Sequence, residues 1–359
     1  KIAKKQQLTK QAFALELEIP EALKFRFQFR AGQYVTLKYH FKEKEIQNDY
    51  SFTSAPSEQK LALAIKINGE ESSTKFLFDH YKAGDEISVS EPLGRFFLNS
   101  KPNEKRTIIA FASGIGITPI LSHIKNILIE EPSTRIFLFY GNKNYDDIIL
   151  KNELENIQKE SGGRLECFYF ISQEPVKDKL FQGRIDEKKV SLIINQILHL
   201  DEDDEESTIW DSTDKVLICG PGAMIKSVAN ACYNHGIPKK NIHFELFEAY
   251  NEDIYPREKE FPLIENVEVK IKFNHIEKDG IILKNNERKI LHQLLDLGYK
   301  LPYSCKSGVC GSCLCYLKAG EVDMTDDEYL TDKEKHQGKI LPCTAIAMSK
   351  RIFLDFDMI

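Results

Sequence analysis

The first hundred residues alternate short apolar and polar positions, and turn residues interrupt the alternation. Four runs carry the pattern, Phe25–Phe29, Tyr34–Leu37, Tyr50–Thr53 and Leu61–Ile67. A period of two places every second side chain on one face of a strand, as in antiparallel sheets that are half buried. The pattern predicts an antiparallel β-barrel over residues 1–100.

Residues 104–248 instead contain nearly continuous apolar runs that alternate with helical segments. The runs are Thr107–Phe111, Arg135–Tyr140, Leu165–Ile171 and Lys215–Cys219. Strands that are buried on both faces have this composition, so we predict an α/β domain with a parallel sheet. The charged, proline-containing stretch 249–262 is predicted to be a linker. A third domain is predicted over residues 263–359, with a helix at about 290–297 that ends at Gly298.

The length and the charge of the chain limit its number of domains and the kinds of partner that it can have. A chain of 359 residues is long enough for two or three domains. The net charge is −6, which the acidic run 201–206 supplies by itself, and this run is predicted to be a surface loop. Since no basic stripe and no long apolar run are present, we expect neither a nucleic-acid partner nor a membrane. The N-terminus lacks the apolar core of a signal peptide, and four of the eight cysteines are scattered, which favours the cytoplasm.

Four cysteines near the C-terminus have the spacing of an iron–sulfur site. Cys305, Cys310 and Cys313 form a Cys-x4-Cys-x2-Cys loop, and 29 residues separate Cys313 from Cys343. Plant-type ferredoxins hold a [2Fe–2S] cluster with this arrangement of thiolates. The alternatives are buried structural cysteines or a zinc site, but zinc sites favour paired Cys-x2-Cys motifs and no second pair exists here. The spacing therefore predicts a [2Fe–2S] cluster, with Cys315 as a packing residue.

Two glycine-containing turns follow predicted strands of the middle domain. The first holds Gly114, Gly116, Thr118 and Pro119, and the second is Cys219-Gly220-Pro221-Gly222. A turn of this kind lets backbone N–H groups meet a pyrophosphate at a helix N-terminus, with Thr118 as the predicted N-cap. A simple tight turn and a small buried Cys219 are the alternatives. Both turns would lie at the carboxyl ends of parallel strands, where open sheets bind ligands.

Several motifs together resemble the ferredoxin–NADP reductase superfamily. The order of flavin barrel, nucleotide domain and plant-type ferredoxin (β-grasp) domain is similar to the three-domain reductases of phenylacetyl-CoA epoxidases. The motifs are Tyr50-Ser51, Gly69 to Thr74, Pro92 to Phe96, the two glycine turns, Tyr140 to Asn142, Asp146 to Ile149, Gly183 to Asp186 and His243 to Phe247.

The resemblance implies site residues. Tyr50 would contact the isoalloxazine of FAD and Ser51 its polar edge, whereas a Tyr–Ser pair on a strand is otherwise often core and turn. Cys219 would lie beside the nicotinamide, with Glu245 near the site of hydride transfer. The remaining implied contacts are Thr53, Ser73 or Thr74 to ribityl or phosphate groups, and Phe247 near the flavin. The superfamily usually has Arg two residues before the Tyr, where this chain has Asn48, and Lys66 is a candidate to replace its charge.

These motifs together predict an electron chain from NAD(P)H to FAD, then to [2Fe–2S] and to an external acceptor protein. A flavin can take two electrons and release them singly, which joins a two-electron donor to a one-electron cluster. Ser172 and nearby cations such as Arg184 favour NADPH over NADH. The acceptor that the resemblance implies is phenylacetyl-CoA epoxidase, with a Rieske oxygenase or an acyl-CoA desaturase as alternatives. A module that holds a redox cluster without turnover is the competing class.

Overall fold

Six antiparallel strands form two three-stranded sheets at the start of the chain. The first sheet has the order β1-β2-β5, and the second has the order β4-β3-β6. Their bounds are β1 Ile2–Thr9, β2 Ala12–Leu17, β3 Tyr34–Phe41, β4 Lys44–Ser51, β5 Leu61–Lys66 and β6 Ser88–Val89, and helix α1 spans Ser73–His80. An isolated bridge between Phe52 and Leu63 connects the two sheets. The predicted antiparallel architecture is confirmed, although the strands are divided between two sheets instead of forming one closed barrel.

The alternating positions supply the core of these sheets. Val35, Leu37 and Tyr39 are buried on one face of β3, while the intervening side chains are partly exposed. The prediction of a strand at Phe25–Phe29 is wrong, because Glu21–Phe27 is a 3-10 helix that begins directly after Pro20. Pro20 suits a helix start, and Phe25 is 72 % exposed, so the aromatic alternation there does not reflect a buried face.

A five-stranded parallel sheet follows, in the order β11-β10-β7-β8-β9. Strand β7 is buried at six consecutive positions, which explains its continuous apolar sequence. The strands are β7 Thr107–Ser113, β8 Arg135–Asn142, β9 Leu165–Ile171, β10 Thr213–Cys219 and β11 Ile242–Glu245. The helices are α2 Ile117–Glu130, α3 Lys151–Glu160, α4 Glu187–Ile193, which continues as a π-helix at Ile194–Leu198, and α5 Gly222–Asn234. The predicted parallel sheet is confirmed.

The C-terminal part contains a mixed sheet with the order β13-β12-β18-β14-β16 and a two-stranded sheet of β15 and β17. Helix α6 confirms the predicted helix, since it ends at Asp296, shortly before Gly298. The elements are β12 Glu265–Phe273, β13 Ile276–Asn285, α6 Ile290–Asp296, β14 Cys315–Ala319, β15 Val322–Met324, α7 Asp332–His336, β16 Lys339–Ile340, β17 Ala345–Ala347 and β18 Arg351–Asp355. Apolar residues of the sheet and α6 form one core.

The computed structural model describes residues 1–198, 208–248, 250, 252–256, 262–303, 308, 311–324 and 329–357. The acidic run 201–206 lies outside these ranges. The chain divides into two compact units, Lys1–Phe247 and Glu248–Ile359. Within the described ranges, no helix has both the length and the apolar character that a membrane crossing requires. Further 3-10 helices lie at Pro56–Glu58, Gly114–Gly116, Lys179–Phe181 and Lys239–Asn241.

Helix α2 joins the parallel sheet to the N-terminal sheets within the first unit. The Ser122 hydroxyl donates a hydrogen bond of 2.7 Å to the Ser54 carbonyl, and both residues are fully buried. His123 Nε2 lies 2.9 Å from the Phe96 carbonyl oxygen, again in a buried environment. Buried polar contacts of this kind require well-defined partners, because an unpaired buried group is costly.

We predict that acid weakens this unit through His123. Burial lowers the pKa of His123 to about 4. The folded state therefore disfavours the charged imidazole. The contribution of His123 to the free energy of unfolding is complete above pH 6.5 and is lost as the pH falls towards 4. Linkage gives a loss of about 2 kcal/mol between pH 7.5 and pH 5. Urea unfolding of the unsubstituted protein and of His123→Gln at the two pH values measures the contribution of His123. An equal change in the free energy of unfolding in both proteins would contradict the prediction.

Candidate functional site

Three residues that are distant in sequence meet where the N-terminal sheets contact the parallel sheet. Cys219 ends β10, Glu245 ends β11, and the two are register partners in adjacent parallel strands. Ser51 ends β4, and its hydroxyl donates a 3.1 Å hydrogen bond to Glu245 Oε2. The structure thus brings together three residues for which the resemblance implied contact with flavin or nicotinamide.

The electrostatics of this cluster keep its thiol neutral. Cys219 is fully buried and Glu245 is 7 % exposed. Burial raises the pKa of the Cys219 thiol well above its usual value, and the nearby Glu245 carboxylate raises it further. A protonated thiol is a poor nucleophile. The geometry therefore suits a small apolar wall beside a ligand, with Glu245 as the charged and hydrogen-bonded group.

The first glycine turn is packed against the end of β10. A Cβ atom on Gly116 would lie 2.2 Å from the Cys219 carbonyl oxygen, and Gly114 has a positive φ of 54°. Gly116 therefore allows the turn to pack closely against β10, and Gly114 allows its left-handed backbone conformation. The backbone N–H groups at the start of α2 are the donors that would meet a pyrophosphate. The donor set therefore fits a dinucleotide. The predicted N-cap is wrong: Gly116 is the N-cap of α2, and Thr118 lies inside the first turn, where its hydroxyl donates to the Ile115 carbonyl.

Tyr140 adds a contact that sequence reasoning did not assign to a role. Its hydroxyl donates a 2.9 Å hydrogen bond to the Gly114 carbonyl oxygen and so holds the turn from the neighbouring strand β8. Tyr140 is fully buried, and burial raises its pKa above the usual value. The motif at residues 140–142 was the signal in the sequence, but only the strand pairing places the phenol beside the turn.

The other predicted contacts lie at the edge of the parallel sheet, in the first turn of α2, in the second glycine turn and, for the predicted flavin contact Phe247, after β11. Ser172 follows β9, and its backbone N–H and hydroxyl both donate to the Asn142 carbonyl, at 3.0 and 3.2 Å. Arg184 is exposed. Pro119 is buried in the first turn of α2. A Cβ atom on Gly220 would be crowded, since it would lie 3.2 Å from Ser113 Cβ. Phe247 is 41 % exposed.

Predicted flavin contacts line β4, β5 and the start of α1. Tyr50 is half-buried, and burial raises the pKa of its phenol. Thr53 is 5 % exposed and Thr74 also 5 %, with the Thr74 hydroxyl accepting a hydrogen bond from the Asn68 backbone N–H. Ser73 is the first residue of α1, where backbone N–H groups have no acceptor inside the helix. Such donors fit a phosphate of FAD.

Asn48 supplies no cation on β4, whereas three lysines and Glu70 line a cavity beside the other N-terminal sheet and α1. Asn48 Nδ2 lies 3.4 Å from the Tyr50 hydroxyl, so its amide is directed to the predicted flavin contact. Lys66 is exposed and lines a cavity of about 500 Å³ that also contains Lys10 and Lys75.

We predict that Asn48→Arg tightens FAD binding. A charge-assisted hydrogen bond contributes about 1.5–3 kcal/mol, which corresponds to roughly ten- to a hundredfold in the dissociation constant. Titration of the apoprotein with FAD, followed by flavin fluorescence, measures the change, with Asn48→Gln as the uncharged control. If Asn48→Arg leaves the dissociation constant unchanged, another residue such as Lys66 already supplies the charge.

The C-terminal unit brings two of the four predicted cluster ligands into its core. Cys313 is 2 % exposed, and Cys343 is fully buried. The backbone N–H of Gly308 donates a 3.1 Å hydrogen bond to Cys343 Sγ. Backbone donors to a ligand sulfur are typical of iron–sulfur sites, where they tune the reduction potential. The other two predicted ligands, Cys305 and Cys310, lie outside the described residues.

Two further residues explain the local sequence of the cluster loop. Gly311 has a φ of 69°, and a Cβ atom there would lie 2.0 Å from the Tyr329 ring. The loop therefore needs glycine at this position, both for its backbone conformation and for the close approach. Cys315 is fully buried as the first residue of β14, where it is the register partner of Ile340. Its surroundings fit a packing residue.

Comparison with known families agrees with this geometry. Residues 1–98 match the oxidoreductase FAD-binding domain, residues 111–230 match the oxidoreductase NAD-binding domain, and residues 274–348 match the 2Fe-2S iron-sulfur cluster binding domain. The chain is an oxidoreductase with FAD, a nicotinamide nucleotide and a [2Fe–2S] cluster as its cofactors. It belongs to the three-domain electron-transfer reductases of the ferredoxin–NADP reductase superfamily.

Known proteins are similar to this chain over nearly its whole length. One subunit of the 1,2-phenylacetyl-CoA epoxidase of Escherichia coli (strain K12) is 28 % identical over 357 residues, which cover 99 % of this chain and 96 % of that protein. The ferredoxin reductase component of 3-ketosteroid-9-alpha-monooxygenase from Rhodococcus rhodochrous is 23 % identical, with coverage of 94 % and 91 %. Among solved structures, phthalate dioxygenase reductase has a TM-score of 0.54 and 25 % identity, with coverage of 99 % and 97 %.

Proposed function

We propose that this chain passes electrons from NADPH through FAD and the [2Fe–2S] cluster to the oxygenase component of a phenylacetyl-CoA epoxidase. The observation that carries the proposal is the similarity to the Escherichia coli epoxidase protein over 99 % of the chain. The nucleotide, flavin and cluster motifs all lie within that aligned length. FAD, when bound, supplies the exchange between a two-electron donor and a one-electron acceptor.

The chain's own residues bind and orient the cofactors. Ser51 holds Glu245 by its hydrogen bond, so that the carboxylate stays at the contact between the flavin and nucleotide domains. The neutral Cys219 thiol closes the neighbouring wall without offering a competing nucleophile. The turn at Gly114–Gly116 would accommodate the nucleotide, and the Gly308 N–H, which donates to Cys343 Sγ, would stabilise a thiolate there. Preorganised binding of this kind is the protein's part in cofactor chemistry.

NADPH is the proposed donor because exposed cations follow β9. Lys177, Lys179 and Arg184 are exposed and follow Ser172 in the sequence, and the adenosine ribose is expected at this strand end. An additional phosphate on the ribose would gain charge-assisted contacts there. Initial rates of ferricyanide reduction with NADPH and NADH test this preference. A higher kcat/KM with NADH would contradict it.

The acceptor is tested by reconstitution with purified oxygenase components. We expect rapid reduction of a phenylacetyl-CoA epoxidase oxygenase in stopped-flow experiments, because the relative with 28 % identity is part of that enzyme. The second candidate is another oxygenase, such as a Rieske oxygenase, since reductase components of 3-ketosteroid-9-alpha-monooxygenase and of glycine betaine monooxygenase are also similar along most of the chain. Reduction of a Rieske oxygenase with no reduction of the epoxidase would favour this candidate.

A further inference from the structure

Helix α2 contacts the candidate nucleotide site at one end. The helix begins directly after the turn at Gly114–Gly116, and that turn is in close contact with the Cys219 backbone. About two turns further along the helix, the side chains of Ser122, His123 and Lys125 contact segments that connect the strands of the N-terminal sheets or follow them. One rigid element therefore spans from the nucleotide turn to the flavin-binding part of the same unit.

The His123 contact is tightly enclosed. His123 is 2 % exposed, and its ring packs edge-on against Phe96, with 5.2 Å between the ring centroids. A carbonyl oxygen can only accept, so the 2.9 Å contact with Phe96 requires the proton on His123 Nε2. Gly32 closes the other side, because a Cβ atom there would lie 1.7 Å from the Phe96 oxygen and 2.4 Å from Nε2. Water has no room to replace this bond.

The acceptors of the α2 contacts lie on segments that carry candidate flavin residues. Phe96 ends the Pro92–Phe96 segment, and Ser54 directly follows Thr53. Lys125, which is 8 % exposed, lies 3.3 Å from Glu58 and 2.6 Å from Glu153, so its charge is balanced on both sides of the contact. Three neighbouring positions of one helix thus hold the backbone near the flavin at a fixed distance from the nucleotide turn.

We propose that His123 is a positioning residue for the reduction of FAD by the nicotinamide nucleotide. In that step a hydride, which is one hydrogen nucleus with two electrons, would pass from the nicotinamide nucleotide to the flavin, so that the nucleotide would be oxidised and the flavin reduced. The Nε2–H bond to Phe96 would set the approach of the two rings indirectly, because His123 is 2 % exposed and presents almost no surface to a ligand. The inference rests on the proposed function. A misplacement of about 1 Å between reacting groups can reduce a rate about a hundredfold, so one buried bond is sufficient to matter.

The test compares two variants of the full-length holoprotein. His123→Met fills a similar volume but lacks a donor, whereas His123→Gln retains an amide N–H at a similar reach. We expect the rate of FAD reduction at saturating NADPH to fall at least about tenfold in His123→Met and to stay within about threefold in His123→Gln. The dissociation constants of FAD and NADP⁺ should change little in both, because the enclosed His123 ring presents almost no surface to either cofactor. In the FAD-free protein, amides of residues 92–98 should exchange faster in His123→Met only.

Several results would overturn the inference. An unchanged reduction rate in His123→Met excludes a positioning role. Equal losses of rate, cofactor affinity and melting temperature in both variants indicate a structural role only. Ser122→Ala, which removes the neighbouring hydrogen bond to Ser54, provides a second test if His123→Met does not fold, and it should also slow reduction without weakening NADP⁺ binding. If the unsubstituted protein does not oxidise either nucleotide, the proposed function fails, and this outcome is distinct from those above.

Discussion

Replacement of Cys343 by alanine is expected to abolish the bound [2Fe–2S] cluster, whereas Cys315→Ala should retain it. Cys343 Sγ is buried and accepts a hydrogen bond from the Gly308 backbone N–H. This environment suits a negatively charged thiolate that binds a metal. Cys315 is equally buried, but the Cys-x4-Cys-x2-Cys spacing leaves it out of the ligand set. Burial alone therefore does not distinguish the two cysteines, and the spacing and the sulfur contact do.

The visible absorption spectrum and the iron content of the purified variants measure this difference. Cys343→Ala should retain the flavin absorption and lose the cluster bands, while Cys315→Ala should retain both. Cys343→Ser is a useful third variant, since an oxygen ligand would bind the cluster more weakly without removing the side chain. Loss of the cluster in Cys315→Ala, with an intact spectrum in Cys343→Ala, would overturn the assignment of the fourth ligand.

A chain that ends after residue 247 should keep the oxidation of NADPH with ferricyanide but lose most reduction of cytochrome c. Residues 1–247 form one compact unit, and the candidate flavin and nucleotide residues all lie within it. Ferricyanide can take electrons directly from a flavin. Cytochrome c is a one-electron protein acceptor, and we expect it to be reduced through the cluster of the second unit.

Full-length Cys343→Ala is the matched control for this truncation, because it removes the cluster without removing a domain. Both proteins should show the same loss of cytochrome c reduction and the same retained ferricyanide rate. If the truncated protein reduces cytochrome c as fast as the full chain does, the cluster does not lie on the path to that acceptor. Loss of both activities in the truncated protein only would show that the second unit supports the first one.

The sequence by itself determined the class of each region, because the relevant signals are local. The cysteine spacing indicates a cluster loop because only a few residues separate the first three cysteines. The continuous apolar run at Thr107–Phe111 indicates a strand that is covered on both faces. Local patterns fail where tertiary packing decides. The aromatic alternation at Phe25–Phe29 resembles a strand, yet a 3-10 helix begins directly after Pro20 and Phe25 is exposed.

The contacts between distant residues were decided only by the tertiary structure. Ser51 and Glu245 are separated by 194 positions, and their hydrogen bond exists because β4 and β11 end at the same place in the first unit. His123 looks like an ordinary histidine in the sequence, and its proposed role depends on the Phe96 carbonyl, which the segment after β6 places beside α2. The sequence spacing of two residues limits their contact only when they are near in the chain. For distant residues the entropy cost of closing the loop is similar for many possible partners, so packing selects which of them meet.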